Sequence, residues 1–256
     1  MSKDVIVNGE TYSGVSVVKL DTADGGTASF KETSEIQQGY TVDDIASLAI
    51  SGDIVLGVST VGDHAFYANN GITSVTSNTV TSIGKSGGIS YCFCKCTSLK
   101  AVNMPNLEYI CMGAFDACTT LESVSFPKVK SLGTGLTFNN CTTLTEAIIP
   151  NCTGHGQTAF KGCTNLKKID TSGGFDSYGV LTGCTSLDTI IIRSSSVVKL
   201  NLNQGIQDTC FGQGKTGGTI YVPSALVESY KTADVWSTLY GYGTVTFAAI
   251  EGSEYE

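Results

Sequence analysis

Four features of this chain carry residue types that do chemistry. Cys92, Cys94 and Cys96 form a Cys-x-Cys-x-Cys run, a soft donor set of the kind that holds zinc. Gly84-Lys85-Ser86-Gly87-Gly88 matches G-x-S-x-G, which presents a nucleophilic serine when a strand, a strained turn and a helix surround it. Gly212-Gln213-Gly214-Lys215-Thr216 ends like a phosphate-binding loop. His64, beside Asp63, and His155 are the only two histidines, so imidazole acid–base catalysis has to rest on one of them.

Each feature lacks a second requirement. Zinc sites take four ligands at wider spacing, and no His lies near the Cys run. The first Gly of a phosphate loop falls at Thr209, which breaks that pattern. The serine motif needs His and acid partners. His64 precedes Ala65-Phe66 and reads as a corner residue, and His155, between Gly154 and Gly156, reads as an exposed loop residue. No catalytic residue, cofactor or metal is therefore expected, and the chain is expected not to be an enzyme.

The elements that position these residues follow from the cysteines. Cys96, Cys118, Cys141, Cys163 and Cys184 are 22, 23, 22 and 21 residues apart, a period that marks a solenoid. The lines around them align: Ala114-Phe115, Cys118, Leu121, Val124, Phe126, Pro127; then Phe138, Cys141, Leu144, Ala147, Ile149, Pro150; then Ala159-Phe160, Cys163, Leu166, Ile169. Leu181 replaces Phe in the next unit, Asn69 fills the Cys slot upstream, and Cys210-Phe211 continues the frame downstream. Leu, Val three later and an apolar residue two after that read as an inward-facing strand, and Pro ends its pairing. Such a coil cannot bury its own apolar face, so coils stack into parallel sheets. Cys92 and Cys210 sit in the small-residue slot of Ala114 and Ala159, and Cys94, in the slot of Asp116, is expected to point outward. The five-Cys column is expected to be buried thiols, because parallel Cβ vectors suit a disulfide dihedral poorly.

The pattern Ile-Gly-x-x-Ala-Phe-x-x-Cys-x-x-Leu-x-x-Val-x-Phe-Pro, clearest from Ile110 to Pro127, resembles the BspA-like leucine-rich repeats. The resemblance implies a mainly β, right-handed leucine-rich-repeat solenoid of about seven coils of roughly 22 residues over residues 54–223. It also implies adhesion and protein binding, with no catalytic repeat residue. Residues 1–35 suggest a small β-module, with a hairpin around Asn8-Gly9 and strands split by the 21–26 turn. Val7-Asn8-Gly9-Glu10-Thr11-Tyr12-Ser13-Gly14-Val15 resembles openings of tail or fibre proteins of phages that infect gut bacteria. Residues 36–53 read as a linker and capping helix, centred on 41–49. Residues 224–256 read as an α+β cap: Ser224 as N-cap of a helix over 225–231, a strand over 244–250, and a frayed acidic tail from Glu251.

Composition narrows the function. The net charge is −8 with no basic cluster, so no nucleic-acid partner is expected. No run reaches the roughly 18 apolar residues of a membrane span, and Met1-Ser2-Lys3-Asp4-Val5 does not open a secretory signal. Binding is expected on outward strand positions: Lys100, Asn103, Glu122, Ser125, Glu146, Ile148, Lys167, Lys168, Asp170, Asp188 and Ile191. Ile148 and Ile191 are apolar where solvent is expected, which suggests a contact patch. The function expected is a virion or tail-associated phage component, made in the host cytoplasm without a signal peptide. It would contact a protein or glycan on a cell surface, or another virion protein, with homo-oligomerisation through the N-terminal module as an option. The alternative is a bacterial surface or cytosolic scaffold for another protein.

Overall fold

The computed structural model describes residues 3–7, 10–15, 18–21, 27–30, 52–56, 59–84, 90–202 and 205–256. The capping helix over 41–49, the Asn8-Gly9 link and most of the serine motif, residues 85–88, lie outside the described residues. At the N-terminal end, β1 (Lys3–Val7) pairs antiparallel with β2 (Glu10–Val15). Likewise β3 (Val18–Asp21) pairs antiparallel with β4 (Thr27–Phe30).

From residue 52 the pairing becomes parallel, as stacking of short coils requires. One sheet holds nine strands in the order β16-β15-β14-β13-β12-β11-β9-β7-β5. They are β5 (Gly52–Val55), β7 (Ile72–Thr76), β9 (Ala101–Asn103), β11 (Ser123–Ser125), β12 (Glu146–Ile149), β13 (Lys168–Thr171), β14 (Thr189–Ile192), β15 (Gly218–Val222) and β16 (Val245–Ala249). Strands β7 to β15 of this sheet follow the seven aligned units one for one, while β5 and β16 add a rung at each end. A second, three-stranded sheet joins β6 (Thr60–Val61), β8 (Ser82–Ile83) and β10 (Tyr109–Ile110). Single bridges Tyr109–Ser131 and Ser131–Gly154 carry its line onward.

The corner between the sheets explains the Phe. Its backbone bonds run to the next coil, as in Phe93 N–H to Ala114 O (2.8 Å) and Phe138 N–H to Ala159 O (2.8 Å). Two left-handed residues flank each Phe: Tyr91 and Lys95 around Phe93, Leu136 and Asn140 around Phe138. Gly113 takes the first position before Phe115 and Gly162 the second after Phe160, where a missing Cβ relieves that conformation. The buried rings stack coil on coil, Phe66–Phe93–Phe115–Phe138–Phe160, at 5.0, 5.4, 5.6 and 5.5 Å between centroids.

The cap differs from its expected form in three ways. Ser224 is not a side-chain N-cap: residues 224–226 form a 3₁₀ turn ahead of α1 (Val227–Thr232), and the Ser224 N–H donates to Glu251 Oε2 at 2.7 Å. A second helix, α2 (Asp234–Gly241), buries Trp236 and Leu239, and the indole N–H donates to Val198 O at 2.7 Å. The tail is not frayed. Ser253 N–H returns to Ile250 O, Arg193 Nη2 donates to Tyr255 O (3.0 Å), and Tyr255 meets Tyr221 edge-on at 4.7 Å. Acidity suggested fraying, but the segment also carries an aromatic ring with a place to pack. Among the described residues no helix is long and apolar enough to cross a membrane.

Candidate interaction face

The Cys column lies inside the solenoid, and its thiols do more than fill space. Cys118 Sγ donates to Phe93 O (3.0 Å), Cys141 to Phe115 O (3.1 Å), Cys163 to Phe138 O (3.0 Å), Cys184 to Phe160 O (3.1 Å) and Cys96 to Phe66 O (2.9 Å). The same Phe93, Phe115, Phe138 and Phe160 carbonyls accept the backbone N–H of the Cys in their own coil, at 3.1 to 3.2 Å. Each carbonyl therefore takes one donor from its own coil and one from the next, which satisfies a polar atom deep in the core. Burial pushes the Cys96 and Cys184 thiols up to about 12 and those of Cys118, Cys141 and Cys163 well above their ordinary value, so the column stays protonated.

The other chemistry-bearing residues are placed apart. Cys94 is buried, not outward, because its sulfur lies against the next coil, facing Asp116 Oδ2 at 3.8 Å. Cys92 turns toward Cys111 and Cys96 toward Phe66 O, so the three thiols diverge. Among the described residues no three potential metal ligands converge. His64 does sit at a corner, half-buried between the Tyr67 and Tyr91 rings at 5.6 and 5.8 Å. His155 is buried at 4% exposure rather than exposed in a loop. Its Nδ1 donates to Gly174 O (2.8 Å), its Nε2 lies 3.0 Å from Thr171 Oγ1, and its ring stacks on Phe175 at 5.1 Å and 3°. The flanking Gly154 and Gly156 suggested a loop, but a Cβ on Gly156 would clash with Gly135 N, so this glycine instead lets the coil pack closely on the preceding one. Burial holds the His155 pKa below its ordinary value. Gly214, Lys215 and Thr216 line a shallow groove with Thr185, Thr209 and Cys210. The loop's Lys215 N–H bonds Gly212 O and its Gln213 N–H bonds Gln207 Oε1, and strand β15 follows instead of a helix.

The outward side chains of the nine-stranded sheet form three rows. Lys100, Glu122, Thr145, Lys167 and Asp188 precede successive strands, joined by backbone bonds from Glu122 to Lys100 (3.1 Å) through Asp188 to Lys167 (3.2 Å). Ala101, Ser123, Glu146, Lys168 and Thr189 make the second row in register, with an ion pair between Lys168 and Glu146 at 3.2 Å. Ser125, Ile148, Asp170, Ile191 and Tyr221 make the third, and Asn103 occupies the equivalent place on β9. Lys100, Asn103, Glu122, Ser125, Lys167 and Asp188 are exposed, and Glu146, Ile148 and Lys168 are half-buried.

Asp170 and Ile191 are not open positions: they are 5% and 1% exposed. Asp170 takes a bidentate pair from Arg193, Nε to Oδ1 and Nη2 to Oδ2, both 2.8 Å. The same Arg193 Nη2 holds Tyr255 O, Tyr255 packs on Tyr221, and Lys168 Nζ lies 5.6 Å from the Tyr255 ring. The tail thus roofs the row where Ile191 sits between Asp170 and Tyr221. An apolar outward Ile marks a contact, and the contact is internal. Arg193, Tyr221 and Tyr255 were missed in the sequence. The available signal was Asp170 and Arg193, opposite charges one repeat period apart, as are Glu146 and Lys168.

Residues 89–215 match the BspA type leucine rich repeat region, in six copies. The six cover the units from Phe93 to Phe211, and the Phe66 unit lies just before them. No curated protein matches the chain. The solved leucine rich repeat protein of T. pallidum is 21% identical with a TM-score of 0.50, over 77% of this chain and 86% of that one. A leucine-rich repeat protein of Bacteroides ovatus is 19% identical with a TM-score of 0.49, over 83% of this chain and 59% of that one. The likeness to the T. pallidum protein is one of fold.

Proposed function

From the BspA-type leucine-rich-repeat array that residues 89–215 form, we propose that this chain is a non-catalytic binding protein. It holds a protein partner across the uncovered part of the nine-stranded sheet. The observation that carries this is the asymmetry of the face. The tail already lies over β13 to β15, whereas Lys100, Asn103, Glu122 and Ser125 on and beside β9 and β11 stay exposed. Solenoids present extended surfaces of this kind to partners. The tail also supplies the mode: an aromatic ring set on Tyr221, with its backbone carbonyl held by Arg193.

A photo-crosslinking residue placed at Ser123, on the open face, is expected to capture a discrete protein partner in producing cells. Placed at Lys161, exposed on a corner, it captures none. Ser125→Arg is expected to abolish the Ser123 capture. Equal capture from both positions refutes the assignment of the face.

The finer proposal is that the partner belongs to a phage particle or its host, with this chain in the virion or outside the cell after assembly. It rests on the similarity of residues 7–15 to openings of phage tail and fibre proteins. Mass spectrometry of purified particles tests it. Recovery of the chain in stoichiometric amounts supports a virion component, and its absence from particles leaves the bacterial scaffold as the host of the same binding face.

A further inference from the structure

One thiol pair stands apart from the Cys column. Cys111 occupies the corner slot that Gly84 and Gly133 fill in the coils on either side. Its side chain fits because Gly84 has no Cβ: one placed there would lie 2.6 Å from both Cβ and Sγ of Cys111. Cys92 comes from the small-residue slot of the preceding coil and brings its sulfur to 3.9 Å from that of Cys111. Both are fully buried. The column thiols stand in one slot, and each engages a carbonyl of the preceding coil. Cys92 likewise donates to Gly62 O at 3.0 Å, but Cys92 and Cys111 come from different slots, so their sulfurs also converge.

A polar path leads outward from this pair. Ser90 is buried beside Cys111, both side chains abutting the place a Cβ on Gly84 would take, and it donates its hydroxyl to Asp63 Oδ1. Asp63 is exposed. A proton leaving Cys111 therefore has a hydroxyl and then a surface carboxylate to pass through. Contact with Cys92 holds the Cys111 thiol below its ordinary pKa, whereas burial lifts Cys92 and the column thiols above theirs.

We propose that Cys92 and Cys111 form a redox-sensitive pair that a peroxide closes into a disulfide, stapling neighbouring coils. Cys111 gives its proton through Ser90 to Asp63, and the thiolate attacks one peroxide oxygen. The O–O bond breaks, leaving a sulfenic acid on Cys111 and a hydroxide that takes up that proton as water. Cys92 sulfur then attacks Cys111 sulfur, the S–O bond breaks, and the departing hydroxide leaves as water with the Cys92 proton. Two thiols and one hydrogen peroxide become one disulfide and two waters. Closure moves the sulfurs from 3.9 Å to about 2.05 Å, the length of an S–S bond.

The test uses the reduced full chain and hydrogen peroxide. Intact mass is expected to fall by about 2 Da, for the two hydrogens lost, and to recover with dithiothreitol. Trypsin cuts at Lys95 and Lys100, so the cross-link joins peptide 86–95, which also holds Cys94, to peptide 101–128, which also holds Cys118, and fragment ions that separate the cysteines within each peptide assign the bond to Cys92 and Cys111. Cys111→Gly restores the residue of the neighbouring coils, and Cys92→Ala restores that of Ala114, so both are expected to fold and to lose the product. Asp63→Asn is expected to slow closure at least tenfold. A cross-link between other cysteines, oxygen added to Cys111 without a cross-link, or no reaction overturns the proposal. Unchanged closure in Asp63→Asn overturns the relay.

Discussion

Phe138→Ala is expected to cost about 3–5 kcal/mol, the usual range for truncating a buried Phe, and to divide unfolding into two steps. The ring is fully buried, and it stacks on Phe115 at 5.6 Å and 4° and on Phe160 at 5.5 Å and 15°. Each such pair adds about 0.5–1.5 kcal/mol beyond area alone. The chain supplies its own comparison in Leu181, which fills the same slot, fully buried, after the last ring of the unbroken stack. Phe138→Leu keeps most of the buried area and gives up the two ring contacts, so about 1–2 kcal/mol is expected. Coils contact only their neighbours, so a weak central coil uncouples the halves of the array. The lone tryptophan, Trp236, lies in the cap and reports the C-terminal half by fluorescence, while circular dichroism reports all coils. Urea titrations by both probes are expected to coincide in the parent and in Phe138→Leu, and to separate in Phe138→Ala. Equal midpoints for the Ala and Leu variants, or an Ala cost below about 1 kcal/mol, refute the stack as a stabilising column.

Two further outcomes follow from buried polar groups. Arg193→Ala leaves the Asp170 carboxylate, 7% exposed, without its partner and is expected to cost about 3 kcal/mol in urea unfolding. It also frees Tyr255, read as faster amide exchange over 251–256, and adding Asp170→Asn recovers most of the stability but not the slow exchange. His155 is held neutral by burial, its folded pKa lying below the unfolded value of about 6.5. The unfolded chain then binds the extra proton, so stability is full above about pH 6.5 and falls as pH drops toward and through the folded value. Thermal midpoints between pH 8 and 5 are expected to decline, and His155→Gln is expected to remove the part of that slope lying near pH 6; an unchanged slope there refutes the assignment.

The inward half of the coil was legible because it repeats. Leu121, Val124 and Phe126, and their equivalents at Leu144, Ala147 and Ile149, are buried by one geometric rule applied at every turn. Anything made once was harder to see. His155 between two glycines looks like a loop until Phe175 is known to stack on it, and α2 has no repeat partner to announce it. The outward rows follow the strand register, but Asp170 and Ile191 in them are buried, and that burial depends on a tail that sequence spacing does not bring near Ile191. The Cys ladder was legible in position and not in chemistry, since its hydrogen bond to the Phe of the previous coil needs the coil spacing in three dimensions.

The division between inward and outward slots also limits how this chain can recognise anything. Between β5 and β16 the strand N–H and C=O groups of the nine-stranded sheet are spent between coils, so recognition across that face comes from side chains. Side chains there are set by slots that leave the core untouched: Lys100, Glu122 and Lys167 share one backbone position and differ in charge. Rungs stand about 4.8 Å apart, so a partner lying along the array meets a new side chain of each row at every rung. Charge changes along one row can therefore alter the partner without altering the fold. The Arg193–Asp170 pair is the exception, because there an outward carboxylate has become buried and structural beneath Tyr255. A substitution at the outward positions Ala101, Asn103, Ser123 or Ser125 of β9 and β11 is thus expected to leave stability unchanged, and one at Asp170 of β13 or Ile191 of β14 to lower it.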